Sequence, residues 1–470
     1  MDVNKLPNSI DELKKIIIDQ QKTILELQAI ILDLQAIILD LKSRLNKNSD
    51  TSSKPPSMDY PKKESISINK NRSLREKSGK KSGGQKGHIG KTRSITNTPD
   101  EIVNCQTQEC SNCGSCLIDT IGKTTAKEQI IDIAQIKSTI TQYNEITKEC
   151  PNCKTKNKGI LPNGQSNIIR IGENIKSFVV YLNIKHHLPY KRLKMILNDI
   201  LNISISEGTI DKILAKASKN GFSISKKIKN LVNTTEYRGS DETGVRINGK
   251  NNWEWVWQNE KATYYAINKS RGFATVEKEM PEEYQGVHVA DCWNAQNNTK
   301  STEHQLCHEH IKRDFKNLIE MEKSPFAYKF YRFFCRSHKA RDILWKMSEE
   351  IREKGILWHK RELEKLLLMP TRTKKEKTLQ KRIIKHKDKI LTFMRYKNVP
   401  PNNNTSEQAI RQSKIKMKIS GGFRSQSGAD NYAILLSIIE TCRKQKMDVL
   451  ESIRELLQGI DISNQFISVR

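Results

Sequence analysis

The chain has 470 residues, of which 36% are apolar, and its 82 Lys and Arg outnumber its 53 Asp and Glu. This length predicts two to four folded units. The charge is clustered, which favours a polyanionic partner such as DNA over a basic surface kept only for solubility. No apolar run reaches the roughly 18 residues of a membrane span, and the N-terminus lacks a signal-peptide pattern. We therefore expect an intracellular protein with no membrane partner.

Residues 1–47 are predicted to form a coiled coil. The heptad LQAIILD occurs at 27–33 and again at 34–40. The a and d positions are then occupied by Ile24, Ile31 and Ile38, and by Leu27, Leu34 and Leu41. Isoleucine at a with leucine at d favours a parallel dimer, so we expect a homodimer or a higher oligomer. Further apolar residues widen the stripe, which leaves open a helix that packs against its own chain.

Residues 48–100 are predicted to form a flexible basic linker, because the segment is rich in Ser, Asn, Pro and Lys. Eleven Lys and Arg lie between residues 62 and 93, interleaved with glycines. Such an arm suits phosphate backbones, although a plain linker has the same composition.

Residues 101–160 hold two CxxC pairs, which predict a zinc-ribbon-like DNA-binding module. The expected ligands of one structural Zn²⁺ are Cys110, Cys113, Cys150 and Cys153. Two such pairs supply the four thiolates of a tetrahedral site. Cys116 forms another CxxC with Cys113, and Cys105 is nearby, so the ligand set stays open. Free thiols in a reducing compartment are the alternative.

Residues 161–235 are predicted to be helical, with two helices separated by a short turn over 188–221. Ser206 is the expected N-cap of the second helix. The pair resembles a helix-turn-helix. Two-helix hairpins are common in proteins, so DNA recognition by this element stays open.

Residues 236–440 are predicted to form a catalytic core. Their order is strand, strand, strand, helix, strand, with the first strand ending in a turn at Gly244 and the fourth ending at Asp291. This order is typical of a ribonuclease-H-like sheet, in which the first and fourth strands are neighbours. Asp241 and Asp291 would then lie close together. Alternation along a strand places Glu242 on the opposite face, so we choose Asp241 over Glu242.

A third acid, Glu407, lies in the first turn of a helix predicted after the loop at 400–404, with Asn404 or Thr405 as its cap. Two carboxylates repel each other unless a cation lies between them, and a third acid would complete a site for two Mg²⁺ ions. On spacing alone, Glu407 fits a helix-capping carboxylate better. The predicted DNA-binding side chains are Arg411, Lys414, Lys418 and Arg424.

These motifs, in this order, resemble the IS66 family of insertion-sequence transposases. The resemblance rests on LNKNSDTSSKPPSMD, GGQKGHIGKT, the cysteine segment, DETGVRINGKNNWEWVWQ, VHVADCWNA and NNNTSEQAIRQSKIKMKISGGFRSQSGADNY. It covers nearly the whole chain. It implies a multidomain α+β protein whose acidic (DDE) triad is Asp241, Asp291 and Glu407, with a helical insertion at about 305–399. Residues 441–470 are predicted to be a C-terminal helical tail.

The family resemblance implies metal-dependent DNA cleavage at element ends and joining to target DNA, through two Mg²⁺ ions. It also implies a bacterial cytoplasmic protein, associated with the nucleoid when bound to DNA, and accessory transposition proteins as partners. A non-catalytic zinc-ribbon DNA-binding regulator and a nuclease that never joins strands are the alternatives. Cys307 and His310, in CHEH (307–310), are interpreted as a packed structural pair, because no second ligand pair is evident nearby.

Overall fold

The computed structural model describes residues 9–45, 95–132, 138–162, 169–292 and 294–466. The predicted basic linker lies outside the described residues except for residues 95–100. Helix α1, Ile10–Leu45, is a continuous helix of 36 residues. Its Ile31 and Leu34 side chains remain 52% and 51% exposed in the single chain. The coiled coil therefore stays a prediction. None of the helices among the described residues has the length and apolar character of a membrane span.

The described residues of the cysteine segment include a short ribbon. Strand β1, Thr147–Glu149, pairs antiparallel with β2, Lys156–Lys158, on either side of the second CxxC pair. Every residue of both strands is exposed. The first CxxC pair lies beside an isolated bridge between Glu109 and Cys116.

Residues 169–466 form a mixed α/β unit. Three helices come first: α2 (Glu173–Ile184), α3 (Tyr190–Leu201) and α4 (Glu207–Val232). Next come β3 (Tyr237–Ile247), β4 (Lys250–Gln258), β5 (Thr263–Asn268), α5 (Phe273–Glu279), β6 (Tyr284–Ala290), α6 (Asn294–Asn297) and β7 (Ser301–Leu306). The remaining helices are α7 (His308–Glu322), α8 (Pro325–Leu344), α9 (Glu349–Leu367), α10 (Lys374–Lys385), α11 (Asn404–Ser420), α12 (Gln426–Lys444) and α13 (Val449–Gln458).

The five strands β3–β7 form one mixed sheet in the order β5-β4-β3-β6-β7. Strand β3 pairs antiparallel with β4 and parallel with β6, so the first and fourth predicted strands are neighbours. The predicted end of the first strand at Gly244 is wrong, because β3 continues to Ile247. The turn is made by Asn248 and Gly249, both with positive φ, as a two-residue hairpin turn favours.

One hydrophobic core joins the first helices, the sheet and the C-terminal helices. It includes Val179 of α2, Ile224 of α4, Trp255 of β4, Leu436 of α12 and Leu456 of α13. The predicted limits at 235/236 and 440/441 therefore do not separate independent cores, and the second limit falls inside α12. Ser206 caps α4 as predicted, accepting a hydrogen bond from the Thr209 N–H at 3.0 Å.

A second core lies under the helical insertion. Buried aromatic residues of α7 and α8, among them Phe315, Phe330 and Phe334, pack with Val287 and Val289 of β6. The insertion predicted from residue 305 begins later, at α7, because residues 305–306 belong to β7. The sheet therefore borders two separate hydrophobic cores, and the neighbouring strands β3 and β6 lie at its centre.

Candidate active site

Asp241 and Asp291 lie at neighbouring positions on two parallel strands. Tyr237 pairs with Val287, and Gly239 pairs with Val289. The same register, carried two residues further, places Asp291 level with Asp241. Asp291 immediately follows the last residue of β6. Parallel pairing brings the carboxyl end of β6 beside the middle of β3, which explains why these two acids are close despite their separation in sequence.

Glu407 is brought to the same place by the start of α11. The Asn403 amide donates to the Ser240 carbonyl oxygen at 2.6 Å. The Gln258 amide donates to the hydroxyls of Thr405, at 2.7 Å, and Ser406, at 3.2 Å. These contacts fix the first turn of α11 against β3 and β4. The N-cap is Asn403, not the predicted Asn404 or Thr405, and its side chain makes no capping hydrogen bond.

Gly239 permits this close approach of α11 to β3. A Cβ atom at residue 239 would lie 2.4 Å from the Ser406 hydroxyl oxygen and 2.8 Å from the Asn403 side-chain oxygen. Both distances are below any normal contact. A glycine is therefore required in β3 for the acids of the strand and of the helix to meet.

The electrostatics of Asp241 show that the acids share one environment. Burial raises the pKa of Asp241 well above its ordinary value, and the charges of Glu242, Asp291 and Glu407 raise this pKa further. The Glu242 N–H donates to Asp241 Oδ1 at 2.9 Å, and this hydrogen bond lowers the pKa of Asp241. The predicted acids Asp241, Asp291 and Glu407 are thus brought together as mutually repelling carboxyl groups.

Glu242 is an acid of the same region with its own partners. Its side chain is 1% exposed and forms an ion pair with Arg271, 2.7 Å away. Its second oxygen accepts a hydrogen bond from the Gln296 amide. Burial raises the pKa of Glu242, as does the charge of Asp291, while Arg271 lowers it. Glu242 is therefore held by a cation and an amide, unlike Asp241.

A buried polar network behind the acids escaped the sequence analysis. The Ser240 hydroxyl donates to Gln296 Oε1 at 2.6 Å and lies 3.0 Å from His288 Nε2. Arg238 donates to His288 Nδ1 at 3.3 Å. All four side chains are buried. The only signal in the sequence was the presence of polar residues at alternate positions, 238 and 240, of a predicted strand.

Cys307 and His310 have a partner that the sequence analysis missed. Among the described residues, the one group of three possible metal ligands whose ligand atoms all lie within 4.8 Å of one another is Cys307, His310 and Glu407. The interpretation as a packed structural pair rested on the lack of a second ligand pair nearby, and the structure adds one further ligand rather than a pair. The missing ligand is the candidate catalytic glutamate, which is distant in sequence and arrives through α11.

The two cysteine pairs form similar local turns. The N–H groups of Gly114 and Lys154 each donate to the carbonyl oxygen of the first cysteine of their pair at 2.9 Å. Hydrogen bonds with Ser115 and Thr155 lower the pKa values of Cys113 and Cys153 to about 7. Within the described ranges, however, Cys110, Cys113, Cys150 and Cys153 are not gathered into one cluster of ligand atoms.

The predicted DNA-binding side chains lie on an accessible surface that starts near the acids. Arg411, Lys414 and Lys418 are exposed along α11, and Arg424 is exposed just beyond it. Lys416, on the inner side of the same helix, is 8% exposed, and burial lowers its pKa to about 8. Helix α11 therefore carries an acid at its start and exposed positive charge along its outer face.

Comparison with known families gives the identity of this α/β unit. The family described as Transposase IS66 family matches residues 169–431, which is more than half of the chain and includes all three acids. The chain belongs to the IS66 family of transposases. Residues 3–94 match a family of unknown function (DUF6444). No curated protein matches the chain. Membership of this family indicates transposition of an insertion sequence and binding to DNA.

Proposed function

We propose that the chain is a DNA transposase that cuts DNA at the ends of its insertion sequence and joins those ends to target DNA. The observation that carries this proposal is the convergence of Asp241, Asp291 and Glu407 from β3, β6 and α11. The charges of Asp291 and Glu407 raise the pKa of Asp241. A divalent cation bound among the three carboxylates would offset this repulsion. Structural packing alone gives no reason to bring three acids together.

The donor set fits the metal that we expect. Carboxylate oxygens are the ligands that Mg²⁺ prefers. We propose that Asp241, Asp291 and Glu407 hold two Mg²⁺ ions. When bound, such ions activate a water molecule and stabilise the leaving oxygen of a phosphodiester. The site has a rigid scaffold, because Asn403, Gln258 and Gly239 fix the start of α11 against the sheet. Such positioning supplies much of the rate in phosphoryl transfer.

The exposed positive side chains would bind the DNA. Arg411, Lys414, Lys418 and Arg424 lie on and just beyond the helix that carries Glu407, so DNA held by them would pass beside the acids. Phosphate contacts of this kind orient the backbone and depend strongly on salt. Hydrolysis would free a 3′-hydroxyl at the element end, and the same site would direct that hydroxyl at the target strand.

Other parts of the proposal concern the architecture. The strand order β5-β4-β3-β6-β7, with a parallel β3–β6 pair, supports a ribonuclease-H-like core with a helical insertion. The exposed heptad positions of α1 support a coiled-coil dimer. The matching turns at the two CxxC pairs support a zinc ribbon. We propose that this dimer acts in the bacterial cytoplasm, associates with the nucleoid through DNA, and uses accessory transposition proteins.

The test uses the purified full chain, Mg²⁺ and a labelled duplex that carries the end of its own element. We expect a nick at the element boundary and a joined product, and we expect both to disappear in Asp291→Ala. Glu282→Ala is the matched control, because Glu282 is an exposed acid shortly before β6. Cleavage that persists in Asp291→Ala would contradict the assigned site. Specific binding without cleavage, also after the accessory transposition proteins are added, would favour the non-catalytic regulator. Cleavage without joining would favour a nuclease.

A further inference from the structure

Cys307 and His310 lie where two helices begin side by side. Cys307 follows β7 and is the N-cap residue of α7, and His310 lies in the first turn of that helix. The His308 N–H donates to the Pro401 carbonyl oxygen at 3.0 Å. The Asn403 N–H donates to Cys307 Sγ at 3.2 Å. These bonds hold the start of α7 against the start of α11, which carries Glu407.

Two buried atoms at this junction face each other without a hydrogen bond. His310 Nδ1 and Glu407 Oε1 are 3.9 Å apart. Neither atom has a hydrogen-bond partner among the residues that the structure describes. The separation is too long for a hydrogen bond. Two ligands of one tetrahedral zinc ion, each bonded at about 2.0–2.2 Å, lie roughly 3.4 Å apart, so a small inward shift of the two side chains would let one ion bind both atoms. A cation between the two atoms would satisfy both.

The neighbouring histidine shows that this arrangement is specific to His310. His308 is fully buried, with Nδ1 2.8 Å from His338 and Nε2 2.8 Å from the Ile390 carbonyl oxygen. Both of its ring nitrogens are therefore engaged within the second core. His310 is 26% exposed and Glu407 is 27% exposed, so both side chains border solvent beside the two buried atoms.

We propose that Cys307, His310 and Glu407 form a binding site for a late first-row divalent cation, with Zn²⁺ as the best match. Thiolate and imidazole ligands select such ions over Mg²⁺, which prefers oxygen. Three protein ligands leave one position of a tetrahedral ion open. The Asn403 N–H orients the sulfur in the way that outer partners orient metal ligands. The cation site shares Glu407 with the proposed acidic triad, and in that respect it rests on the proposed function.

The experiment detects the metal through its sulfur ligand. The full chain, with Cys105, Cys110, Cys113, Cys116, Cys150 and Cys153 replaced by serine, is titrated with Co²⁺, and the thiolate-to-cobalt charge-transfer absorption is recorded. These replacements remove the competing cysteine pairs. We expect one Co²⁺ per chain with this absorption, displaced by Zn²⁺. In the same background, Cys307→Ser should abolish the absorption, and His310→Ala should weaken Co²⁺ binding at least about 10-fold.

Matched controls separate this site from the other cysteines and histidines. Cys335→Ser and His386→Ala, which change partly exposed residues of the insertion, should leave the titration unchanged. Because Cys307 is buried, circular dichroism checks the fold of its variant, and the partly exposed His310 provides a second test. Absence of the absorption in the six-serine protein would overturn the proposal. So would an unchanged titration in both His310→Ala and Glu407→Gln.

Asp291→Ala distinguishes failure of this proposal from failure of the proposed function. Asp291 is not one of the three ligands, so its variant should bind Co²⁺ normally even when DNA cleavage is lost. Normal Co²⁺ binding in a chain that never cleaves DNA would sustain the metal site and remove the proposed function. Mg²⁺-dependent cleavage in a chain that binds no Co²⁺ through Cys307 would remove the metal site and sustain the proposed function.

Discussion

The acids and the paired cysteines are both sets of candidate metal ligands, but the fold treats them differently. Asp241, Asp291 and Glu407 come from three elements that are fixed by sheet register and by the contacts of α11. The paired cysteines lie in a segment whose strands are exposed at every residue. The acids are therefore positioned by the protein before any metal binds. The cysteine pairs have their local turns, but within residues 95–132 and 138–162 no buried scaffold fixes one pair against the other.

This difference follows from what lies behind each set of ligands. Behind the acids, Ser240, His288 and Gln296 form a buried network, and Trp255 and Trp257 are fully buried in the adjacent strand. In the cysteine segment, Ile130 and Ile140 are 85% and 95% exposed. A site placed by a packed core should tolerate loss of metal, whereas a ribbon without a core should depend on its metal for structure.

The largest effect should come from displacing α11 without touching an acid. Gly239→Ala places a Cβ atom 2.4 Å from the Ser406 hydroxyl, so α11 has to move away from β3. We expect Mg²⁺-dependent DNA cleavage to fall about 100-fold, the loss that a shift of about 1 Å causes in a positioned site. DNA binding should change much less, because the exposed positive side chains stay on α11. Gel-based cleavage and binding assays measure the two quantities.

Gly244→Ala is the matched control for this substitution. Gly244 lies in the same strand, but a Cβ atom there would meet no heavy atom within 4 Å. Its variant should cleave DNA at the normal rate. Equal losses in the two variants would show that β3 tolerates no side chain at either glycine, and the proposed role of Gly239 in docking α11 would then be lost.

Local patterns in the sequence predicted the elements well, but they did not predict most contacts between elements. The Ser206 cap was visible because capping depends on a short pattern. The neighbour relation of β3 and β6 was visible because the order of the elements is typical of one sheet topology. The end of β3 was misplaced because Gly244 was taken for a turn, although Asn248 and Gly249 are the stronger hairpin signal.

The candidate site shows the same limit more clearly. Alternation and family resemblance selected Asp241, Asp291 and Glu407, but nothing local indicates that Asn403 binds the backbone of β3. The meeting of Glu407 with Cys307 and His310 is equally hidden, because it requires α7 and α11 to begin side by side. Such contacts depend on how separate helices pack around one sheet, which no single segment encodes.

Removal of the Asp241 charge should stabilise the metal-free protein, and this effect should be smaller than the loss of DNA cleavage expected for Gly239→Ala. The folded protein holds the pKa of Asp241 well above the ordinary value of 3.8. At a pH below 3.8, Asp241 is protonated in both the folded and the unfolded chain, so its ionisation does not affect stability. As the pH rises above 3.8, Asp241 ionises first in the unfolded chain. The free energy of unfolding of the metal-free protein therefore falls until the pH passes the raised pKa of the folded state. Asp241→Asn removes this loss of stability.

We therefore expect metal-free Asp241→Asn to have a higher free energy of unfolding than the unmodified protein at pH 7. The difference should vanish near pH 3. Thermal unfolding at a series of pH values measures it, and subtraction of the two curves removes the contributions of other acids. Glu282→Gln, an exposed change, is the control. A less stable Asp241→Asn protein at neutral pH would contradict the repulsion among the acids.

The smallest effect on the core should come from the cysteine pairs. Cys150→Ser combined with Cys153→Ser removes one of the two proposed ligand pairs, while Cys335→Ser serves as the control for a cysteine of the insertion. Because β1 and β2 contribute no buried residue, the melting temperature of the core should stay unchanged.

The zinc content should fall by about one ion per chain, since two thiolates cannot complete a structural site. Proteolysis within residues 95–162 should accelerate, because zinc supplies the folding free energy of such a module. An unchanged zinc content would remove the zinc ribbon, and a lower melting temperature of the core would show that this segment packs on the α/β unit after all.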